Sequence, residues 1–498
     1  MTPEQPHSVA KLDKQVAGGL AWAAGAKSFT QFFSWAFTLL TAHKLPPADF
    51  GLANMAGYMN GLAGALAEFG VGQAVLQMPE LTSDTIAQLN TACAAMCLAA
   101  YGIMVLAAPL IAVFFKASQV SQLVVVVSLG LVVTGFQSVP LGLLEKDLDY
   151  RRLSVIESAT ILGQAVVTVG MAYSGYAYWA LVWGGVAGRI SGIAVTLYWK
   201  KAAFAWPRWN QIRAPLRLGA HLTVTRAATW IYAVSDGVIV GRMLGGAANG
   251  IYQMAMSLAN APAEKIGMLV MRVTGPLFAR VQNDEELVRR YFRIISESIS
   301  LGVFPLLTGL ALVAPDAMWM LGKQWGGAVG PIRWLAVFMA VRTMSWLFGQ
   351  VLISLRYARF NMMVSLAAFA LMPAAFVVAC RWGTSAVAAS WLILSPVTVL
   401  PLAWKLLRVI RLRGRDYMSM LLPALSGCAV MAAAVLILRA WAGLPHLPAA
   451  IRLGAQVAVG GAVYAAFLWT FFRARIVRYI SFLVGLRRGG AAVAEATL

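Results

Sequence analysis

Acid, histidine and cysteine are scarce in this chain. Its 498 residues hold 19 Asp and Glu against 40 Lys and Arg, with four His and four Cys. Only 12% of the residues are charged and 60% are hydrophobic, with a mean hydropathy of +0.73. That balance excludes a soluble domain and fits a polytopic helical membrane protein. Cys93, Cys97, Cys380 and Cys428 all fall inside apolar runs. Cys93 and Cys97 share a helix face, but no His or acid accompanies them, so the set is neither a disulfide framework nor a zinc site. No Gly-rich loop is followed by Lys and Ser or Thr, which leaves no nucleotide-hydrolysing site. The polar start MTPEQPHSVAKLDKQ has no cleavage signal, and neither end carries a lipidation motif.

What is present is a succession of long apolar stretches. A span needs about 20 apolar residues, and about fourteen segments meet that length. They run near 16–42, 50–78, 85–114, 119–144, 153–174, 177–200, 215–241, 248–272, 287–313, 326–354, 360–380, 384–408, 418–440 and 449–472. Turn signals such as Pro46-Pro47, Pro79, Gly245-Gly246, Pro315, Gly322 and Gly383 mark the boundaries. The cations fall mostly in alternate loops. One set includes Lys146, Arg151, Arg152, Lys200, Lys201, Arg289, Arg290, Arg411 and Arg413; the other holds few beyond Lys44, Lys116, Arg242, Arg439 and Arg452. This asymmetry, about four to one, puts both termini in the cytoplasm and accounts for most of the net charge of +21.

The chain also aligns to itself. An ungapped shift of 199 positions places Lys27 on Arg226, Thr30 on Thr229, Leu45 on Leu244, Ala48 on Ala247 and Gly51 on Gly250. Each half thus puts a cation midway along its first helix. Such a charge costs roughly 2.5 kcal/mol or more at the bilayer centre, so it faces a polar interior. A duplicated one points to a positively lined cavity shared by two related halves, and so to transport of an anion. With six helices per repeat the halves are parallel. The expected division is a first lobe at 1–200, a cytoplasmic link at 201–214, a second lobe at 215–415, two unmatched helices at 416–473 and a basic tail at 474–498.

Five groups of residues carry a family resemblance. LLTAHKLPPADFGLANM with EFGVGQAVLQ, EKDLDYRRLSVIE with GYAYWALVWG, SDGVIVGRMLGGAANGIYQMAMSLANAP, GPLFARVQND and LGKQWGGAVGPIRWLA occur in order at corresponding helix positions. Together they resemble the Wzx-type polysaccharide transporters of the multidrug/oligosaccharidyl-lipid/polysaccharide superfamily, in the exopolysaccharide, colanic-acid-like branch. The resemblance covers about residues 15–415. It implies an all-α protein with two six-helix bundles around a central cavity and two further helices for a lipid tail. It implies a flippase, not an enzyme, that moves an undecaprenyl-diphosphate-linked oligosaccharide from the inner to the outer leaflet of the bacterial inner membrane. Partners would be that lipid, the surrounding membrane lipids, and a polymerase and chain-length regulator of the same pathway. No resident cofactor is expected, though coupling to protons, sodium or the membrane potential is open. A multidrug or metabolite cation antiporter and a cell-wall precursor flippase of the same superfamily are the near alternatives. A membrane polysaccharide polymerase or ligase is the distant one, disfavoured by short outside loops.

The flippase task assigns residues. Lys27 and Arg226 are first candidates for the diphosphate, followed by the central Arg189 and Arg342. Arginine suits phosphate because its planar fork bonds in pairs. Each has a simpler explanation in ion pairing or helix bracing. Glu68, Asp236, Glu264 and Glu297 lie within apolar spans and stand for ion coupling or for pairing with those cations. Trp230, Tyr232 and Tyr58 are candidates for sugar contact, against packing or an interfacial belt. Glycines at 57, 61 and 64 and at 184, 188 and 192 are spaced for close helix approach.

Overall fold

The computed structural model describes residues 30, 33–68, 71, 72, 75, 81–147, 149–440, 447–473 and 475. Lys27 and the basic tail beyond 475 lie outside them. All the regular structure among the described residues is helical. In chain order, α1 covers 33–44 and α2 Pro47–Ala67. Then come α3 Ser83–Phe115, α4 Gln119–Lys146, α5 Tyr150–Tyr173 and α6 Trp179–Trp199. The segment Trp209–Val281 breaks at Gly245, giving α7 (209–244) and α8 (246–281). There follow α9 Glu285–Leu321, α10 Val329–Ser354, α11 Ala358–Ala379, α12 Thr384–Val409, α13 Gly414–Ala440 and α14 Ala449–Phe471. Among the described residues, ten helices are long and apolar enough to cross a membrane, so this is an all-α, multi-pass membrane protein.

Local chemistry sets the boundaries. Pro47 opens α2 at its first position, where the missing N–H costs nothing. The side chain of Thr82 accepts from Thr85 N, that of Asp149 from Arg152 N, and that of Asp284 from the amides of Glu286 and Leu287. These caps satisfy amides that have no carbonyl inside the helix. Gly245 has φ 84°, ψ −177°, a conformation essentially reserved for glycine, and it separates α7 from α8. Pro315 does not act as the boundary marker its position implied. Helix α9 continues through both Pro305 and Pro315 to Leu321 and stops at Gly322, φ 128°.

The chain forms two compact units, 1–250 and 251–498. In the first, a core of Met55, Tyr58, Met104, Leu123, Val124 and Leu131 is joined by Val234 and Val238 of α7. Helices α5 and α6 pack through the expected glycine face. A Cβ at Gly184 would overlap Thr168 Oγ1, one at Gly188 would meet Thr160 O at 2.7 Å, and one at Gly192 would overlap Thr160 Oγ1. The non-helical stretch 201–208 is pinned to the start of α3. Asn90 Nδ2 donates to Ala203 O at 3.0 Å and Arg208 N to Gln88 Oε1 at 2.9 Å. In the second unit Trp391 stacks on Phe338 (5.0 Å between ring centroids) and lies beside Phe376 (4.8 Å), while its indole N–H donates to Tyr252 Oη at 3.0 Å. The four cysteines are buried and free.

Candidate functional site

In the first unit Arg226 of α7 meets Glu68, the residue that closes α2, with Nη1 to Oε2 at 3.2 Å. The pair is not sealed: the side chains are 46% and 28% exposed. One turn along α7, the Trp230 ring fills the space where Gly61 of α2 lacks a side chain, and its indole N–H donates to Tyr58 O at 3.1 Å. Gly61 is therefore what admits the ring; a Cβ there would overlap it. Tyr58 is buried, and its hydroxyl donates to Asn249 Oδ1 at 3.2 Å. Asn249 Nδ2 in turn donates to Gly237 O at 2.6 Å, and Asp236 Oδ1 accepts from Gly237 N at 2.7 Å. Asp236 and Asn249 are almost fully enclosed. A hydrogen-bonded chain thus ties α2, α7 and the start of α8 around the half-open Arg226–Glu68 pair.

Arg189 sits apart from that chain. Its guanidinium rests on the bare backbone of α4 at Gly130, where a Cβ would stand 2.9 Å from Cζ. It feels the charge of Glu68, and it lines a cavity of about 330 Å³ with Asn54 and Gln164.

Most of the remaining sequence candidates lie in scattered places of the second unit. Arg342 lies over the Trp346 ring at 4.9 Å, with Nη1 3.8 Å from Met339 Sδ. Glu297 is buried and pairs with Arg475, 178 residues further along the chain, at 3.3 Å. Glu264 is exposed and accepts from Asn260 Nδ2 at 3.0 Å; Lys265 beside it is exposed as well. Tyr232 is half-buried in the first unit. The structure therefore brings Arg226, Glu68, Trp230 and Tyr58 together, and Lys27 lies outside the described residues.

Sequence reasoning missed one cluster. Asp316, near the end of α9, takes Arg452 Nη2 at 2.9 Å on Oδ1, and Arg439 Nη2 at 3.0 Å and Gln456 Nε2 at 2.8 Å on Oδ2. Those partners belong to α13 and α14, the helices without a repeat counterpart. Beside the cluster runs an apolar groove of about 1140 Å³ between α9, α10, α12 and α13. Arg333 and Arg439 line one end of it, and Leu407 and Gly414 the other. From Gly414 to Arg439 is about 37 Å along a helix, so the groove follows nearly the whole of α13. The one available sequence signal was an acid, Asp316, at the end of an apolar run.

Comparison with known proteins follows the same lines. The chain is 24% identical over 356 residues to the lipopolysaccharide biosynthesis protein WzxC of Escherichia coli (strain K12), covering 69% of this chain and 70% of that one. It is 25% identical over 296 residues to the teichuronic acid biosynthesis protein TuaB of Bacillus subtilis (strain 168), covering 58% of this chain and 60% of the relative. Among solved structures the fold is similar to the lipid II flippase MurJ in an inward closed conformation. The TM-score is 0.73 at 13% identity, over 91% of this chain and 99% of the other. It is also similar to an inward-facing multidrug resistance MATE transporter, with a TM-score of 0.59 at 12% identity, over 76% and 95% of the two chains. Residues 42–330, more than half of the chain, match the family described as polysaccharide biosynthesis protein. The chain belongs to that family.

Proposed function

We propose that the protein moves an undecaprenyl-diphosphate-linked oligosaccharide from the cytoplasmic to the outer leaflet of a bacterial inner membrane, with both termini in the cytoplasm. The observation that carries this reading is the half-open Arg226–Glu68 pair. A guanidinium this far into a membrane protein is either locked by buried acids or kept accessible for an anion. Here it has an acid partner and retains 46% exposure. An entering diphosphate can replace the carboxylate with a doubly bonded, more highly charged acceptor. Lys27, its repeat counterpart, is assigned the same role, with Arg189 and Arg342 as further cations.

The helices that fall short of a spanning composition support this. Helices α2 and α7 are not among the ten apolar ones, and they carry Asn54, Asn60, Arg226 and Asp236. Polar residues are tolerated in a span that faces a hydrated path. On this reading α1, α2, α7 and α8 also cross, giving fourteen spans, with lobes at 1–200 and 215–415. The apolar groove along α13 suits the polyprenyl tail, which would then stay out of the polar path. A polymerase and a chain-length regulator are the proposed partners. A multidrug cation substrate fits less well, because the central charges are mostly basic.

The test is glycan flipping in vesicles containing purified protein, with accessibility of the lipid-linked oligosaccharide as readout. The Lys27→Ala, Arg226→Ala double variant should insert normally and lose flipping. Wild-type flipping by a folded double variant would reject the assignment.

A further inference from the structure

The stretch that joins α6 to α7 leaves its aromatic side chains uncovered. Residues 200–208 are not helical and follow α6 directly. Trp206 is 87% exposed and Trp209, the first residue of α7, is 63% exposed; Tyr198 and Phe204 are exposed as well. Between 198 and 217 stand five cations, Lys200, Lys201, Arg208, Arg213 and Arg217, and no acid. Two acids from other segments answer them: Asp147 takes Lys200 at 2.9 Å, and Asp84 stands 3.7 Å from Arg208. Lys201 and Arg213 are exposed and have no ion-pair partner among the described residues.

This exposure is not slackness. The backbone of the stretch is tied to the second and third turns of α3, like a strap. Asn90 Nδ2 donates to Ala203 O at 3.0 Å, Ala205 N to Thr91 Oγ1 at 3.2 Å and Arg208 N to Gln88 Oε1 at 2.9 Å. Gln88 and Asn90 are almost fully buried, so two enclosed carboxamides are committed to satisfying a non-helical backbone. Phe204 packs on Phe136 of α4, with 5.8 Å between ring centroids. A strap held this way keeps Trp206 on its outer side.

Depth decides what covers it. Helices α3 and α6 are both among the ten apolar ones. With 33 residues, α3 is about 50 Å long, and the strap bonds to it about 6–12 Å from its start. With α3 centred in the bilayer, that level is about 13–19 Å from the midplane, across the edge of a hydrocarbon core about 15 Å in half-thickness. Indoles settle at this edge, the ring among the upper acyl carbons and the N–H toward the headgroups. Cations there meet lipid phosphates, and a segment with five cations and no acid of its own favours anionic over zwitterionic headgroups.

We propose that the strap is a docking surface for anionic phospholipid of the adjacent leaflet, the cytoplasmic one by the charge asymmetry of the loops. Lys201 and Arg213 read the headgroup charge, and Trp206 and Trp209 set the depth. The buried amides of α3 hold the surface in place before any lipid arrives. None of this depends on the identity of the cargo, so it stands or falls separately from the flippase reading.

The experiment uses the full chain. Native mass spectrometry from detergent, titrated with phosphatidylglycerol, phosphatidylcholine or undecaprenyl phosphate, reads the lipid affinities. Phosphatidylglycerol should bind about fivefold or more tighter than phosphatidylcholine. Lys201→Gln with Arg213→Gln should lower phosphatidylglycerol affinity by about fivefold or more and leave phosphatidylcholine unchanged. Trp206→Ala should weaken both lipids alike. Lys116→Gln with Lys323→Gln removes two exposed cations from other loops and should leave phosphatidylglycerol binding as in wild type. Full phosphatidylglycerol affinity in the strap double variant would overturn the proposal, as would an equal loss in the control double variant. So would undecaprenyl phosphate binding more tightly than phosphatidylglycerol with that preference lost in the strap variant, which would assign the surface to a polyprenyl lipid. A second measurement reads depth. The native cysteines are buried, so Trp206→Cys takes a maleimide fluorophore selectively. In vesicles of phosphatidylcholine and phosphatidylglycerol, nitroxide-bearing lipids should quench it strongly and aqueous acrylamide weakly. The reverse would overturn the proposal and leave the strap to a soluble partner.

Discussion

Gly51 and Gly250, 199 residues apart and matched by the internal repeat, meet backbone to backbone. A Cβ on Gly250 would overlap Pro47 O and stand 3.1 Å from Gly51 N; a Cβ on Gly51 would overlap Gly246 O. The start of α2 and the start of α8 thus cross with no side chain between them. Both glycines are helical, so their role here is close approach rather than a special backbone conformation. The repeat detected in the sequence is therefore also a contact: the same position of each copy touches the other.

A side chain at either glycine has no flexible neighbour to push aside, since the obstructing atoms are backbone. Overpacking ordinarily costs about 1–3 kcal/mol, and a rigid obstruction should put these variants at the upper end. Gly51→Val and Gly250→Val are expected to lower the thermal midpoint in detergent and the yield of monodisperse protein. Gly57→Ala is the control, because a Cβ there meets nothing within 4 Å. Equal behaviour of all three variants would show that the crossing is looser than described.

The second expectation concerns Glu68. As an exposed pair, its bond to Arg226 contributes only about 0.2–1 kcal/mol. If the carboxylate holds the place of an incoming anion, Glu68→Gln should free the guanidinium. Inorganic pyrophosphate should then bind the purified protein up to about fivefold more tightly, the factor that this energy allows. Arg226→Ala should weaken the same binding. Isothermal titration decides the matter. Weaker pyrophosphate binding in Glu68→Gln would mean that the acid positions Arg226 instead of guarding it.

The legible part of the molecule follows from local chemistry. Pro46-Pro47, Gly245-Gly246, Gly322 and Gly383 lie at helix boundaries because each restricts or frees the backbone on its own. The glycine face on α6 was visible as a spacing, and its partners on α5 are adjacent in sequence. Arg226 with Glu68 was legible only as charges in need of a partner. Asn54, Gln164 and Asn249 were passed over, since an uncharged amide in an apolar run carries no signal until its surroundings are known. The cluster on Asp316 was hidden for a plainer reason. Its partners Arg439 and Arg452 lie more than a hundred residues away and look like ordinary loop cations, and Pro315 argued that the helix had already ended.

That cluster gives the third expectation. Asp316 compensates two arginines and Gln456 at once, so its loss takes this carboxylate from two partly enclosed guanidinium groups together. Breaking a buried pair from one side costs on the order of 3–5 kcal/mol, and the partial exposure here puts the expectation at or below the low end. Asp316→Ala should destabilise more than Arg439→Ala, which leaves Asp316 with Arg452 and Gln456. Thermal unfolding in detergent, with both single variants and the double, reads the order. A reversed order would place the stabilising role on Arg439, at the mouth of the apolar groove.

The fourth expectation concerns the driving force. Moving one negative charge outward across the membrane gains roughly 2.3 kcal/mol per 100 mV when the interior is negative. The cargo diphosphate is anionic, so the potential favours its export unless cations move with it. Proton or sodium exchange would require an acid free to change partners. Of the four acids considered, Glu297 is buried against Arg475, and Asp236 is enclosed with an oxygen on Gly237 N. Glu264 is exposed beside Asn260. Glu68 alone combines a cation in the candidate site with partial exposure. Flipping in vesicles should therefore rise with an imposed potential of the export-favouring sign. Glu264→Gln and Glu297→Gln should stay within about twofold of wild type once corrected for stability, an allowance of about 0.4 kcal/mol. Glu68→Gln is the single acid variant expected to change the response to an imposed pH gradient. Flipping that ignores the potential and stops without the pH gradient would reject a potential-driven step. Strong, separate losses in two or more stable acid variants would show instead that coupling is distributed over several carboxylates.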